Sequence, residues 1–449
     1  MRPTTPPEAA PAADPAPVGR VRRATGETFR SLRTRNFRLF FGGQLVSQVG
    51  NWLTMVAQTL LVLRLTGSGL ALGLLTAAQF GPLLVLGPWA GLVADRSDKR
   101  RLLLTVQAIS MLQSFALAAL AFTGDPPLGA IFAVAAVGGF TVAFDNPTRR
   151  AFVVEMVPEA DVNNAVSLNS ALMTSSRIVG PALAGLLVTT VGFGWAFLVD
   201  GISYLAVLAA LAAMRSSELR PAPAAARGRG QVRQGLRYVR SVPELWVPLV
   251  MTAVIGVLAF NFAVVFPLFV TDDLGSGDVG FTVLFSVTSV GSLAGALWSA
   301  RRRTIDVRVV ARSAFAFGAP LLVMAAVPSL ALACLVGLAV GFGSISFLTA
   351  STAIAQLRAD PSMRGRVLAL QAMVFLGSTP IGGPLVGWVC ESFGARWGIV
   401  VGAASCVAAG GWGLLMARRT DEGGPAARTV VVEPDVVPTG AVGPQPASG

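Results

Sequence analysis

The chain of 449 residues carries 35 Lys and Arg against 23 Asp and Glu, a net charge of +12, with 53% hydrophobic and only 13% charged residues. A soluble domain holds roughly 25% charged residues, so this chain lacks the polar surface to face water and is expected in a membrane. It has no His, which excludes His-ligated metal sites and His general bases. Its three cysteines, Cys334, Cys390 and Cys406, sit in apolar stretches without paired spacing, and its single lysine, Lys99, lies in VADRSDKRR rather than in a phosphate-binding loop. No metal, cofactor or enzymatic activity is expected, since the short connecting loops hold no nucleophile–base pair or metal cluster.

Residues 1–36 are rich in Pro, Ala and Arg and lack the apolar run of a signal peptide; they read as a disordered cytoplasmic tail. Beyond them, charge-poor runs long enough to cross a bilayer, about 20 residues each, predict twelve helices near 37–63, 70–94, 102–123, 128–147, 164–190, 194–214, 244–270, 279–300, 307–327, 330–356, 366–390 and 395–416. Residues 313–357 hold no charge over 45 positions, about 67 Å of helix, which makes two spans broken near Pro328. The Arg- and Pro-rich stretch 215–243 is the longest connection. It divides the chain into a six-helix bundle at 37–214 and another at 244–417, with a disordered cytoplasmic tail at 418–449.

Of the 35 basic residues, 32 fall in the tails and the loops on their side, including Arg149 and Arg150 in an expected 148–163 loop; Arg64 and Arg396 lie on the opposite side and Arg177 within a span. The positive-inside rule puts both tails in the cytoplasm. Basic residues spread over seven segments suit orientation and contact with anionic lipid headgroups, and argue against nucleic-acid binding.

The halves share landmarks. Pro158, Gly180-Pro181 and Gly185 recur at an offset of 203 as Pro361, Gly383-Pro384 and Gly387, and Gly91 has a counterpart in Gly295 at 204. Such parallel repeats place a substrate site at the midplane between the halves.

The loop after span two, GPWAGLVADRSDKRR, sets Gly91 and Asp95 on one helix face and crowds Arg96, Lys99, Arg100 and Arg101 behind them. It resembles the cytoplasmic signature of the major facilitator superfamily, G-x-x-x-D-R-x-G-R-R, with Asp98 in place of the second glycine; the second-half copy, GALWSARRR, has Ser299 in place of the acid. The stretches RNFRLFFGGQLVSQVGNWL and FDNPTRRAFVVEMVPEADVNNAVSLNSALMTSSRIVGPALAGLL resemble the branch of enterobactin-type siderophore exporters and macrolide-efflux pumps. The resemblance covers about residues 30–417. It implies an all-α membrane protein with twelve transmembrane helices in two pseudo-symmetric bundles, and a gating network at Gly91, Asp95, Arg96, Lys99 and Arg100 that latches the outward-facing state. Gly180, Pro181 and Gly185 look like a short form of the antiporter kink, with Ser176 and Leu186 replacing its outer glycines. The family's span-four arginine motif is missing, because IFAVAAVGGFTVAFDNP has no arginine before Arg149.

Arg177 is costly at mid-span unless paired or wetted. It ends a polar stripe, Asn163, Ser167, Ser170, Thr174, Arg177, and Asp145 and Asp200 are its candidate partners. These three charges are the candidates for ion coupling; without His a proton carrier must be a carboxylate. Span one carries a second stripe, Gln44, Gln48, Asn51, Thr54 and Gln58, expected to line a wet cavity, joined by Asn261 in span seven and by Thr349, Thr352 and Gln356 in span ten, helices that line the pathway in the resembled family. Phe260, Phe262 and Phe266 are candidates for facing an apolar substrate. The expected protein is a monomeric exporter in the cytoplasmic membrane, moving a small amphipathic molecule (a drug, macrolide or siderophore) against protons. An importer of a small solute and a non-transporting receptor of the same fold are the alternatives.

Overall fold

The computed structural model describes residues 28–220, 231–302 and 304–422. The helices are α1 (Arg35–Thr66), α2 (Gly69–Arg96), α3 (Lys99–Phe122), α4 (Leu128–Glu155), α5 (Val162–Thr190), α6 (Phe193–Ala212), α7 (Gln231–Ser241), α8 (Pro243–Leu258), α9 (Phe262–Leu268), α10 (Gly277–Ser299), α11 (Val307–Ala326), α12 (Leu330–Arg358), α13 (Arg364–Phe393) and α14 (Ala395–Glu422). All but α7 belong to twelve spans that are long and apolar enough to cross a membrane, with α8 and α9 together forming the seventh. Helices are the natural solution there, because each satisfies its own backbone donors and acceptors.

The two halves repeat one packing scheme. In the first, α2 packs on α4, and α6 on α1 and α3; in the second, α10 packs on α12, and α14 on α8 and α11. Bare backbone permits the closest approaches: Gly139 rests on Gln79 and Pro82, and Gly295 on Phe342. The seventh span breaks at Ala259–Asn261, where the Asn261 side chain donates to the Val257 carbonyl at 2.7 Å and takes up an acceptor that the break would orphan. Past Pro267 the chain widens into a π turn, Phe269–Asp273. Phe262 and Phe266 stack at 4.9 Å inside the second half, and half-buried Phe260 lies 5.1 Å from both Phe317 and Phe375. This trio therefore belongs largely to an aromatic core.

Several boundaries differ from the sequence reading. Span four runs eight residues past Pro147, because a proline removes one backbone donor and the helix continues once the freed carbonyl is tolerated. Arg149 thus lies in a helix, 4% exposed, and not in a loop. The inner part of the N-terminal tail is folded: Ser31 donates from both N and Oγ to Asn164 Oδ1, and Asn36 exchanges hydrogen bonds with the Arg215 backbone. The linker holds α7, whose Leu236 and Val239 pack with Leu245, Ala355 and Val367 while Arg233, Arg237 and Arg240 stay exposed. The last helix continues to Glu422. The disorder expected at 1–27 and 423–449 lies outside the described residues. Between spans ten and eleven, Asp360 accepts from Ser362 N and Oγ, which holds its exposed carboxyl below the usual carboxylate value.

The halves meet along two seams near the face that carries the 66–69, 190–193 and 393–395 turns. In one, α2 lies on α13, with Gly69 against Gly387, and Gly73 and Thr76 against Gly383. In the other, α5 lies on α10, with Gly185 against Thr282. Polar contacts join the halves at the same face. Arg64 pairs with Asp278 at 2.5 Å, and Glu391 of α13 accepts from Ser68 Oγ and from Leu70 N at 2.9 Å, capping the first turn of α2 from the other half. Toward the terminal face, α5 exposes Asn163, Ser167 and Ser170, and α12 exposes Gln356. A polar wall of this kind within a span marks a water-accessible cleft rather than a lipid contact.

The seams predict a cross-link. An Arg64→Cys, Asp278→Cys pair should react efficiently with a short bifunctional thiol reagent, and adding Gly383→Leu should cut the yield severalfold, because a leucine there collides with Gly73 and Thr76. Unchanged yield by gel assay would mean that the α2–α13 seam does not hold the face shut.

Candidate functional site

A cavity of about 330 Å³ lies inside the first half, lined by residues of α1 to α6. Four of the five amides and hydroxyls of the α1 stripe, Gln48, Asn51, Thr54 and Gln58, line it, and the fifth, Gln44, lies behind its wall. Helical spacing puts these side chains on one face, and that face turns inward because burying it among other polar groups costs less than presenting it to lipid.

Two carboxylates reach the cavity, in opposite settings. Asp145 pairs with Arg149 one turn later on α4 and accepts from Gln107 Nε2 at 2.7 Å; Arg149 Nη1 donates in turn to Gln44 Oε1 at 2.6 Å. Charge is balanced on the spot, and the geometry is that of a fixed i,i+4 ion pair. Asp200 on α6 is 1% exposed and pairs with no cation among the described residues. Thr54 Oγ1 and Ser114 Oγ each donate to its Oδ2 at 2.7 Å, and Ser203 Oγ sits 3.4 Å from Oδ1. A hydroxyl donates to an anion and also accepts from an acid, so this setting accommodates either protonation state. Beside it runs a polar chain: Tyr204 Oη donates to Asn51 Oδ1 at 2.6 Å, Asn51 Nδ2 donates to Gln48 Oε1 at 2.9 Å, and Gln48 touches Met173 Sδ. Gln79 Nε2 extends the lining by donating to Gln58 Oε1 at 2.9 Å.

The other expected residues lie elsewhere. Arg177 pairs with neither Asp145 nor Asp200, whose oxygens have the partners just given; its guanidinium lies 5.7 Å over the Trp52 ring. Asn261 is buried in the break of span seven, Thr349 and Thr352 are half-buried and Gln356 is exposed, and none of the four lines this cavity. The comparable place between α8, α12 and α13 is uncharged: Gln371 donates to Ser351 at 2.7 Å, and Ser351 and Thr252 share a hydrogen bond of 2.8 Å. In the charged loop, Asp95 is half-buried and Arg96 exposed. Lys99 pairs with Glu155 at 2.8 Å, and Arg100 donates to the carbonyls of Leu211 and Ala212 and to Ser216 Oγ, so both bind within the first half. Asp98, where the resembled signature has glycine, caps α3 by accepting from Arg101 N at 3.0 Å. Gly91 is half-buried on α2. Gly180 meets Trp52 and Val49 of α1, and Pro181 lies inside the unbroken helix α5 between that contact and the seam at Gly185.

Sequence reasoning missed Arg149, Gln107, Ser114 and Tyr204. Arg149 carried a usable signal, its i,i+4 spacing from Asp145 across Pro147. The other three are single polar residues in apolar helices, and only the packing of α3 and α6 beside α1 brings them to the carboxylates.

The chain matches the family model described as "Transmembrane secretion effector" over residues 26–436. It is 28% identical over 379 residues to the multidrug efflux pump Tap of Mycolicibacterium fortuitum, covering 78% of this chain and 88% of that one. It is 23% identical over 356 residues to macrolide efflux protein A of Streptococcus pyogenes, covering 77% and 87%. A shorter match, 30% identical over 176 residues, joins it to the staphyloferrin A transporter of Staphylococcus aureus and spans 39% of this chain and 44% of that one. Among solved structures, the nucleoside transporter NupG superposes with a TM-score of 0.66 at 13% identity, covering 86% of this chain and 99% of that one. A bacterial homologue of the lysosomal transporter Spinster, in an inward-facing and unoccupied conformation, gives 0.69 at 14% identity, covering 88% and 99%. At these identities the structures speak for the fold, while the family model covers most of the sequence: the chain belongs to the transmembrane secretion effector family of major facilitator membrane transporters.

Proposed function

We propose that the chain exports a small amphipathic molecule across the cytoplasmic membrane by proton antiport with alternating access, both termini lying in the cytoplasm. The observation that carries this reading is the pairing of a one-sided closure with a carboxylate that, among the described residues, is held by hydroxyls and no cation. Glycine seams close one face while α5 and α12 expose polar side chains toward the other. The concentration of basic residues on the terminal side favours that side as cytoplasmic. Substrate enters from the cytoplasmic cleft, and rocking of the halves about the midplane releases it on the other side. Gly91, Asp95, Arg96, Lys99 and Arg100 act in gating, and Gly180, Pro181 and Gly185 supply the flexible contact between α5 and its neighbours. Exposed arginines such as Arg233 and Arg237 contact anionic lipid headgroups. Efflux relatives of similar length support export of a drug, macrolide or siderophore-like molecule over import.

The two acids divide the work. Asp200 carries the proton, because its hydroxyl partners serve the acid and the anion alike. Asp145 holds Arg149 in place through their ion pair.

These roles predict different variants. Asp200→Asn should fold normally, changing stability by about 1 kcal/mol, and should abolish efflux driven by an imposed pH gradient in everted vesicles. Efflux by the unaltered chain that ignores collapse of that gradient would remove proton coupling. Asp145→Asn strands the buried Arg149 cation and should cost about 3–5 kcal/mol, read as a lowered melting midpoint in detergent; a variant that melts like the parent would deny the pair its structural role.

A further inference from the structure

Arg177, half-buried at mid-span, differs from Arg149 and Lys99 in how its charge is met. Arg149 and Lys99 each have a carboxylate, at Asp145 and Glu155, whereas Arg177 has no ion pair or hydrogen bond among the described residues. Its Nε is enclosed and unsatisfied, and its guanidinium lies 5.7 Å over the face of Trp52. Trp52 is a junction. Its ring lines the first-half cavity, its Cβ packs on Gly180, and it lies 6.2 Å from Phe285 of the second half. Ser286, the residue after Phe285, has an enclosed Oγ that is also without a partner. Ser286 lies one turn after Thr282, on the face of α10 that meets α5 at Gly185, so the second half carries an unpartnered donor on the helix that packs against the one bearing Arg177.

A lone cation at mid-span is costly unless something compensates it. The neighbouring Trp face attracts a cation but supplies no hydrogen-bond acceptor. A guanidinium offers two parallel N–H groups whose fork fits a carboxylate, and a serine hydroxyl on the facing helix adds a third donor. We infer that Arg177, with Trp52 beneath it and Ser286 opposite, receives a carboxylate of the transported molecule, so that the substrates are acidic amphiphiles. The inference rests on the exporter reading and narrows its substrate class. Because the anchor and the hydroxyl belong to different halves, a bound carboxylate touches both and sits where rocking moves them.

The test uses the full-length chain in detergent with 1-naphthylacetate and its methyl ester, which share an apolar body and differ in charge. Binding is read by quenching of tryptophan fluorescence and by the melting midpoint. The acid should bind about tenfold or more tightly than the ester, the difference expected of a charge-assisted hydrogen bond. Arg177→Gln should erase that preference and Arg177→Lys should restore part of it. Equal binding of acid and ester by the parent chain, binding of neither up to millimolar concentration, or an intact preference in Arg177→Gln would each overturn the inference. Efflux of ethidium and of 1-naphthylacetate from vesicles is measured in parallel. A chain that exports ethidium without preferring the acid loses the acidic-substrate inference and keeps the exporter reading; one that prefers the acid but moves neither probe keeps the anion site and loses the exporter reading.

Discussion

Contact between backbones at glycine holds the two halves together at one face. Where Gly69, Gly73, Gly383 and Gly387 meet, helix surfaces touch without side chains between them. In lipid, where apolar side chains gain little by meeting one another, such contact is a main source of helix association. The seams also set the geometry of everything below them. They fix where α5 lies against α10, and so where Trp52 and Phe285 meet. The glycine–proline landmarks that reveal the internal repeat are the same residues that build the seams, Gly185 in one and Gly383 with Gly387 in the other. The duplication of the sequence and the closure of the molecule are thus one feature seen at two levels.

Within the first half, charge is managed in three ways. Asp145 and Arg149 neutralise each other within one helix. Lys99 and Glu155 tie the loop after α2 to the end of α4, while Arg100 covers the open carbonyls of α6. Among the described residues, the Asp200 carboxyl is met by hydroxyls alone. The second half, built on the same pairing of helices, fills the matching space with Thr252, Ser351 and Gln371 and needs no charge there. At this place the asymmetry confines buried charge to the first half, while hydroxyls and an amide fill the matching position in the second.

The twelve spans and the two-bundle plan were legible in the sequence because a membrane imposes one rule, long uncharged runs, on every helix. Gln48, Asn51, Thr54 and Gln58 were legible as a face by the same periodicity. Arg149 was hidden by Pro147, which reads as the end of a helix when only local backbone cost is considered, though tertiary packing carries α4 past it. The partners of Asp145 and Asp200 were hidden for another reason. Asp200 is satisfied by Thr54 and Ser114, 146 and 86 residues away, and no local pattern carries such a pairing. Arg177 was conspicuous as a charge, but attraction to the nearest acids by depth was the wrong guide, since each acid already had partners on helices that pack closer to it.

Glu391 has a further consequence. Its carboxylate closes the first turn of α2 from across the molecular divide. When the lobes part, the Leu70 amide and the Ser68 hydroxyl lose that partner and must find water, at a cost of about 0.5–2 kcal/mol, while Ser68 still caps the Ala71 amide. Unzipping of this face and fraying of α2 are therefore a single event, with a built-in preference for the shut arrangement when nothing is bound.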